Sequence, residues 1–190
     1  ETKKLKGADF TFRVPSVTAT ETLMLAAVKA DGKTILRNAA CEPEIPALAE
    51  FLNRSGAVIR GAGTATVEID GLGSDGKLAA SEPFEVIPDR IEAGSLAILG
   101  ALSASDLTIE KCNPEHLGSL FEHLKAAGIP VKIGPDWIRV KKAKKIAAVD
   151  VKTREYPGFP TDLQAPFSIL LTQAEGRSEI FETIFDNRLE

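Results

Sequence analysis

Glu42-Pro43-Glu44-Ile45-Pro46-Ala47-Leu48-Ala49-Glu50-Phe51-Leu52 and Asn113-Pro114-Glu115-His116-Leu117-Gly118-Ser119-Leu120-Phe121-Glu122-His123-Leu124 are two versions of one helix, 71 residues apart (113 − 42). In the first, Ile45, Leu48, Phe51 and Leu52 fall on one face and Gly56 is the stop. In the second, Leu117, Leu120, Phe121 and Leu124 do the same, with Asn113 as N-cap, Pro114 at N1 and Gly128 at C′. Such half-apolar helices cover a sheet. Around each lies the same order of elements. The first copy predicts a strand over 9–14, an apolar helix over 20–30, a strand over 34–40, the helix 44–55 and a strand pair over 57–70. The second predicts 83–87, 91–104, 107–112, 114–127 and 129–140 in the same roles. Pro88 follows Pro15 by 73 residues (88 − 15), and a period this long with little identity marks a duplicated folding unit, not a solenoid. A third copy supplies a strand over 147–153, a helix from about 161 and a strand over 178–185. It then stops, so the chain is expected to be part of something larger, its third unit truncated.

The other helix of each copy differs in kind. Leu23-Met24-Leu25-Ala26-Ala27-Val28 and Ala93-Gly94-Ser95-Leu96-Ala97-Ile98-Leu99-Gly100-Ala101 are apolar or small nearly all round, as a helix enclosed by others must be. Units with one inner and one outer helix pack by pooling the inner helices in a common centre with sheets outside. The fold class is therefore α/β, built from repeated βαβαββ units.

Hydrophobic residues make up 44% of the chain and charged residues 26%, with a net charge of −4. That composition buries a core and carries no polybasic footprint, so no nucleic acid partner is expected. No apolar run reaches the roughly 18–20 residues of a membrane span, and no charged-then-apolar leader opens the chain. No membrane partner is expected, and the location read from these features is cytoplasmic. Met24 is the only methionine, so Glu1 is no retained initiator and the start is expected to be an internal cut. Cys41 and Cys112 occupy matching places before the two outer helices. With two thiols and no secretory signal they read as small, partly buried residues, although a nearby helix N-terminus leaves a reactive role open.

Gly71-Leu72-Gly73-Ser74-Asp75-Gly76 has the spaced glycines of a dinucleotide-binding turn but opens no helix, so Asp75-Gly76 reads as a hairpin turn. His116 and His123 share a face of an outer helix with no thiolate or carboxylate at metal spacing. They read as a solvated pair, and no metal site is expected. Chemistry concentrates in Tyr156-Pro157-Gly158-Phe159-Pro160-Thr161-Asp162-Leu163-Gln164. Two prolines and a glycine impose a stiff loop, after which Thr161 is expected to cap a helix with Asp162 in its first turn. Two readings of Asp162 stand: a carboxylate complementing the helix dipole, or one positioned for chemistry. Pro15-Ser16-Val17-Thr18-Ala19-Thr20 leads into an apolar helix whose free N–H groups attract phosphate. Asp89-Arg90 at the matching helix start, and Asn187-Arg188 after the last strand, complete the candidates.

Five motifs carry a resemblance along essentially the whole chain: Pro15 to Glu21, Asn38-Ala39-Ala40-Cys41-Glu42-Pro43-Glu44-Ile45, Pro88-Asp89-Arg90-Ile91-Glu92-Ala93-Gly94, Tyr156 to Gln164, and Glu182-Thr183-Ile184-Phe185-Asp186-Asn187-Arg188. In this order they resemble the enolpyruvyl transferase family, in particular the UDP-N-acetylglucosamine 1-carboxyvinyltransferases that begin peptidoglycan synthesis. The resemblance implies two domains, each an inside-out α/β barrel of three such units, with the active site in the cleft between. It makes 1–87 the last repeat unit of one domain, and 88–190 the first and part of the second repeat unit of the other.

The resemblance also implies roles. Ser16, Val17 and Thr18 would bind the diphosphate of UDP-N-acetylglucosamine. Asp162 would take the proton of the sugar 3′-hydroxyl as that oxygen attacks phosphoenolpyruvate. Thr161 and Ile184 would flank the sugar nucleotide. Asp89, Arg90 and Arg188 would line the polar cleft, the arginines holding anionic substrate by forked hydrogen bonds. Glu42 and Glu44 would lie on the same rim. No cofactor is implied. The family's mobile loop with its reactive cysteine, and the lysine that binds phosphoenolpyruvate, have no counterpart in these residues, so the isolated chain is expected to be inactive. Its uncovered third unit is expected to self-associate. The alternatives are 3-phosphoshikimate 1-carboxyvinyltransferase, which shares the fold but whose substrate motifs are not seen here, and a non-catalytic sugar-nucleotide-binding paralogue.

Overall fold

The Ser16 hydroxyl accepts a hydrogen bond from the Ala19 N–H at 3.3 Å and so caps helix α1 (Val17–Val28), three residues ahead of the expected start. The computed structural model describes residues 4–80, 82–103 and 106–185, which form two compact units, Glu1–Ile87 and Pro88–Glu190.

In the first unit, α1 and helix α2 (Glu44–Arg54) accompany a four-stranded sheet of β1 (Asp9–Thr11), β2 (Asp31–Arg37), β3 (Val58–Arg60) and β4 (Thr66–Leu72). The strand order is β1-β2-β4-β3. The β1-β2 pair is parallel and the other two are antiparallel. Met24 and Val28 of α1, Ile45 and Leu52 of α2, and Leu36, Val67 and Ile69 of the sheet form its core. Of the expected face of the outer helix, Ile45 and Leu52 are buried together with Ala49 and Leu48 is half-buried, whereas Phe51 stays exposed.

The second unit repeats this with α3 (Arg90–Ser103), β5 (Asp106–Glu110), a 3-10 turn Pro114–Leu117, α4 (Gly118–Ala126), β6 (Val131–Ile133) and β7 (Trp137–Lys141). Its sheet order is β5-β7-β6, antiparallel throughout. Gly56 and Gly128 end the outer helices at φ of 104° and 79°. In each copy an N–H then reaches back five residues, Ala57 to Leu52 O and Ile129 to Leu124 O, both at 2.9 Å. Asn38 and Lys111, each the residue after a matching strand, share a left-handed backbone at φ of 53° and 56°. The duplication thus extends to single dihedral angles. The partial third copy comprises β8 (Val151–Lys152), a 3-10 turn Thr161–Leu163, α5 (Gln164–Leu171) and β9 (Ile180–Phe181), with β8 and β9 parallel.

Several expectations are corrected. No strand forms over 83–87. That segment is drawn instead onto α2: Phe84 meets Phe51 edge-on at 5.4 Å, and the Arg54 guanidinium lies 5.5 Å from the Phe84 ring. Ser74-Asp75 forms a turn, but with no strand after it there is no hairpin. The Lys29 ammonium holds this turn through the Ser74 and Gly76 carbonyls. The 114–127 helix is split, because Asn113 closes a tight first turn onto Glu115 N–H (3.1 Å) and the weak helix former Gly118 follows. The strand expected over 147–153 is cut short where side chains replace the ladder. Ser178 Oγ accepts from Val149 N–H at 3.1 Å, and Asp150 Oδ1 accepts from Glu179 N–H at 2.8 Å. Leu25 of α1 and Leu99 of α3 stay exposed in these residues, at 48% and 52%.

Candidate functional site

The loop ahead of Asp162 is fixed at both ends. It leaves β8 through the buried Thr153 and turns at residues 155–158, where Gly158 N–H donates to Glu155 O at 2.8 Å around a cis Tyr156–Pro157 bond. Phe159 then plunges into the core of the second unit, edge-on to Phe167 at 5.2 Å and to His123 at 5.0 Å. After Asp162, Leu163 is fully buried against α3. A Cβ on Gly94 would stand 2.7 Å from Leu163 Cδ1, so a larger residue there must push this methyl aside. Asp162 itself is exposed between the two anchors. Anchored apolar neighbours thus hold an exposed carboxylate on a short, rigid turn.

Thr161 does not cap the following helix. The residue in the cap position is Pro160, and the Thr161 hydroxyl donates instead to Glu182 Oε2 at 2.9 Å. Glu182 Oε1 accepts from the Thr153 hydroxyl at 2.9 Å, Ile184 N–H at 2.8 Å and Phe185 N–H at 3.2 Å. Burial pushes this carboxyl up, but the Ile184 N–H, the Thr161 and Thr153 hydroxyls and the Phe185 N–H together outweigh it and hold it below the ordinary glutamate value. Ile184 is half-buried beside it.

At the start of α3, Asp89 Oδ1 accepts from Ile91 N–H at 2.7 Å and Glu92 N–H at 3.1 Å, an N-cap arrangement that the sequence reading did not assign to it. Arg90 is nearly buried, its guanidinium 5.7 Å from the centroid of the Tyr156 ring. The loop of Asp162 and the start of α3 therefore meet at Arg90 and Tyr156. Arg188, with Asn187, lies outside the described residues.

The first unit carries a separate group. Ser16 closes the first turn of α1, Val17 and Thr18 begin the helix, and Thr18 is exposed. The fully buried Thr20 accepts from Ala40 N–H at 3.1 Å, tying α1 to the segment that leads to Glu42 and Glu44. One oxygen of Glu42, Oε2, is buried with no hydrogen bond among the described residues. Burial raises the Glu21 carboxyl, and the charge of Glu44 adds to it. Burial likewise pushes the Cys41 thiol up, with Glu42 adding to it, and burial pushes Cys112 up. Both are poor thiolates at neutral pH, which argues against the reactive role the sequence left open. The two histidines are not a solvated pair either: His123 Nδ1–H donates to Ser119 O at 2.7 Å and its ring packs on Phe159 and Phe167. Among the described residues no group of three His, Cys, Asp or Glu side chains could hold a metal ion.

The second unit thus brings together Arg90, Thr161, Asp162 and Ile184, and the first unit Ser16, Val17, Thr18 and Glu42. Sequence reasoning gave no role to Thr153 or Glu182. Glu182 lies within a recognised motif, but only the pairing of β8 with β9 sets it beside residues 21 and 29 positions away.

A family model described as EPSP synthase (3-phosphoshikimate 1-carboxyvinyltransferase) matches residues 1–190. The UDP-N-acetylglucosamine 1-carboxyvinyltransferase of Desulforapulum autotrophicum is 46% identical over 185 residues, covering 97% of this chain and 43% of that protein. Those of a Nostoc species and Halothermothrix orenii are 48% and 49% identical, over 98% and 97% of this chain and 41% and 44% of theirs. The chain therefore spans less than half the length of these relatives. Among solved structures, the enolpyruvyl transferase NikO from Streptomyces tendae shares the fold at a TM-score of 0.85 and 24% identity, over 98% of this chain and 46% of that one.

Proposed function

Because this chain belongs to the EPSP synthase family of enolpyruvyl transferases, matched along all 190 residues, we propose that it works as part of a UDP-N-acetylglucosamine 1-carboxyvinyltransferase. The substrates are UDP-N-acetylglucosamine and phosphoenolpyruvate. The reaction opens peptidoglycan synthesis in the cytoplasm and through it serves cell-wall growth, cell shape and division. In this reading 1–87 is the last repeat unit of one domain, and 88–190 begins the other with its first and part of its second unit.

The observation that carries the reading is Asp162, an exposed carboxylate on a turn pinned by Leu163 against Gly94 and by Thr161 on Glu182. Asp162 accepts the proton of the sugar 3′-hydroxyl as that oxygen bonds to C2 of phosphoenolpyruvate, whose C3 gains a proton. The tetrahedral phospholactoyl species then loses a C3 proton and phosphate, leaving the enolpyruvyl ether. Thr161 and Ile184 flank the sugar nucleotide. Arg90 and Arg188 hold anionic groups, with Asp89 beside them in the polar site. In the first unit, the open N–H groups at Ser16, Val17 and Thr18 receive the diphosphate, and Glu42 lies on the rim. The near-half identity to three such transferases supports this substrate over 3-phosphoshikimate.

The 190 residues alone bind the sugar nucleotide weakly and do not turn it over. They also self-associate through apolar side chains left open on the packed helices α3 and α5: Leu96, Leu99 and Ile169, exposed by 39%, 52% and 60%. Calorimetric titration of the chain with UDP-N-acetylglucosamine and with shikimate 3-phosphate tests the reading. Saturable heat with the first and none with the second is expected, and the reverse contradicts it.

A further inference from the structure

We propose that Glu182 is a positioning residue, whose carboxylate locks the turn carrying Asp162 to the turn carrying Ile184 so that both meet the sugar nucleotide as one rigid body. The proposal rests on the reading of Asp162 as proton acceptor given above. A carboxylate has about four acceptor positions and no donor. All four bonds found here run into it: Thr161 on Oε2, and Thr153, Ile184 and Phe185 on Oε1. Two of the donors are local to Glu182, Ile184 and Phe185, while Thr153, just after β8, and Thr161 lie 29 and 21 positions away. The buried Thr153 hydroxyl also accepts from Thr183 N–H at 2.9 Å, which fixes the backbone beside Glu182. Among the donors to Glu182, Thr161 belongs to the turn of Asp162, so the Thr161–Glu182 bond joins the two substrate-facing turns directly. Charge-assisted bonds of this kind are about twice as strong as neutral ones. Glutamine keeps one carbonyl for Ile184, and its amide can donate to the Thr161 oxygen with the polarity reversed. Alanine removes this bond.

The test has two arms. In this chain, hydrogen exchange is measured for Glu182→Ala, Glu182→Gln and Thr161→Val. Alanine is expected to speed exchange at residues 161–163 and 184–185 together while α3 keeps its protection. Valine speeds the first turn, and glutamine stays near the parent. In a protein of the relatives' full length that contains these residues, Glu182→Ala is expected to lower kcat about 10²-fold, the typical effect of misplacing a reacting group by about 1 Å. The KM for phosphoenolpyruvate is expected to hold, with most of the rate rescued by Glu182→Gln. Exchange unchanged in both turns, or raised in α3 to the same degree, overturns the proposal. So does normal turnover in Glu182→Ala beside a crippled Asp162→Asn. Normal turnover in both variants instead overturns the reading of Asp162.

Discussion

Replacing Gly94 by alanine tests whether the Asp162 turn is truly packed onto α3. Alanine in a helix interior is ordinarily more stable than glycine by about 0.5–1 kcal/mol. Here the new methyl would lie 2.7 Å and 3.2 Å from the two terminal carbons of Leu163, and 3.3 Å from Leu117 Cδ2. Leu163 is fully buried in the same core cluster as Phe159 and Phe167, so any shift of its methyls is passed to packed neighbours. Overpacking of this kind costs about 1–3 kcal/mol, so with the middle of each range the net is a loss of about 1.2 kcal/mol after the helix gain is subtracted. The second unit has 103 residues (190 − 88 + 1). At about 4–8 °C per kcal/mol for a domain near this size, its melting temperature should fall by roughly 5–10 °C. Gly118 is the control: it is helical at φ −49°, and a Cβ there meets nothing within 4 Å. Gly118→Ala should therefore raise the melting temperature by a few degrees. Calorimetry of both variants decides, and a Gly94→Ala protein stabilised as much as Gly118→Ala would refute the packing argument.

Glu21 has its folded pKa raised by burial and then by Glu44, so the folded state holds its proton more tightly than the unfolded chain. The stability this supplies is complete below the ordinary glutamate pKa and is lost as pH rises through the folded value. Glu21→Gln should thus stabilise the chain at pH 7 relative to its effect at pH 4 in urea titrations; an equal effect at both pH values contradicts this. Glu182 has the opposite sign, its pKa lowered despite burial. Its stability is present above the ordinary glutamate pKa and is lost as pH falls through the folded value, so Glu182→Gln should flatten the acid limb of melting temperature against pH. A limb unchanged in slope would remove that assignment. Cys112 is buried and both thiols have raised pKa values. An aromatic disulfide reagent at pH 7 should label Cys112 only after unfolding and Cys41 more slowly than a free thiol; rapid labelling of either contradicts the assignment.

The repeat was legible because its signals are local. Period, caps and stops sit at Asn113, Pro114, Gly56 and Gly128, and each acts within one turn of its own helix. The places where the reading failed are those where a distant side chain wins. Pro83 to Ile87 has the composition of a strand, yet Phe84 finds Phe51 and Arg54 on the face of α2. Thr161 has the residue type of a cap, yet its hydroxyl is taken by Glu182, 21 positions away. His123 looked like a surface residue by spacing, but Phe159 and Phe167 arrive from the third copy to cover it. Asp162 could be singled out from its loop, but its rigid support could not. That support depends on Gly94 and Leu163 meeting across 69 residues (163 − 94).

The proposed reaction needs Asp162 as the acceptor of the sugar hydroxyl proton. The measurement is kcat beside melting temperature for Asp162→Asn, in a protein of the relatives' full length that contains these residues. Asparagine keeps the shape of the side chain but not its basicity. Removing a general base costs about 10²–10⁴ in rate. A loss confined to the transition state lowers kcat and leaves affinity for UDP-N-acetylglucosamine nearly unchanged. That fall is expected with a melting temperature close to the parent's, since a first-turn acid supplies only about 0.3–1 kcal/mol through the helix dipole. Near-normal turnover in Asp162→Asn, with only a small drop in melting temperature, would reduce Asp162 to a charge at a helix start and rule it out as the proton acceptor.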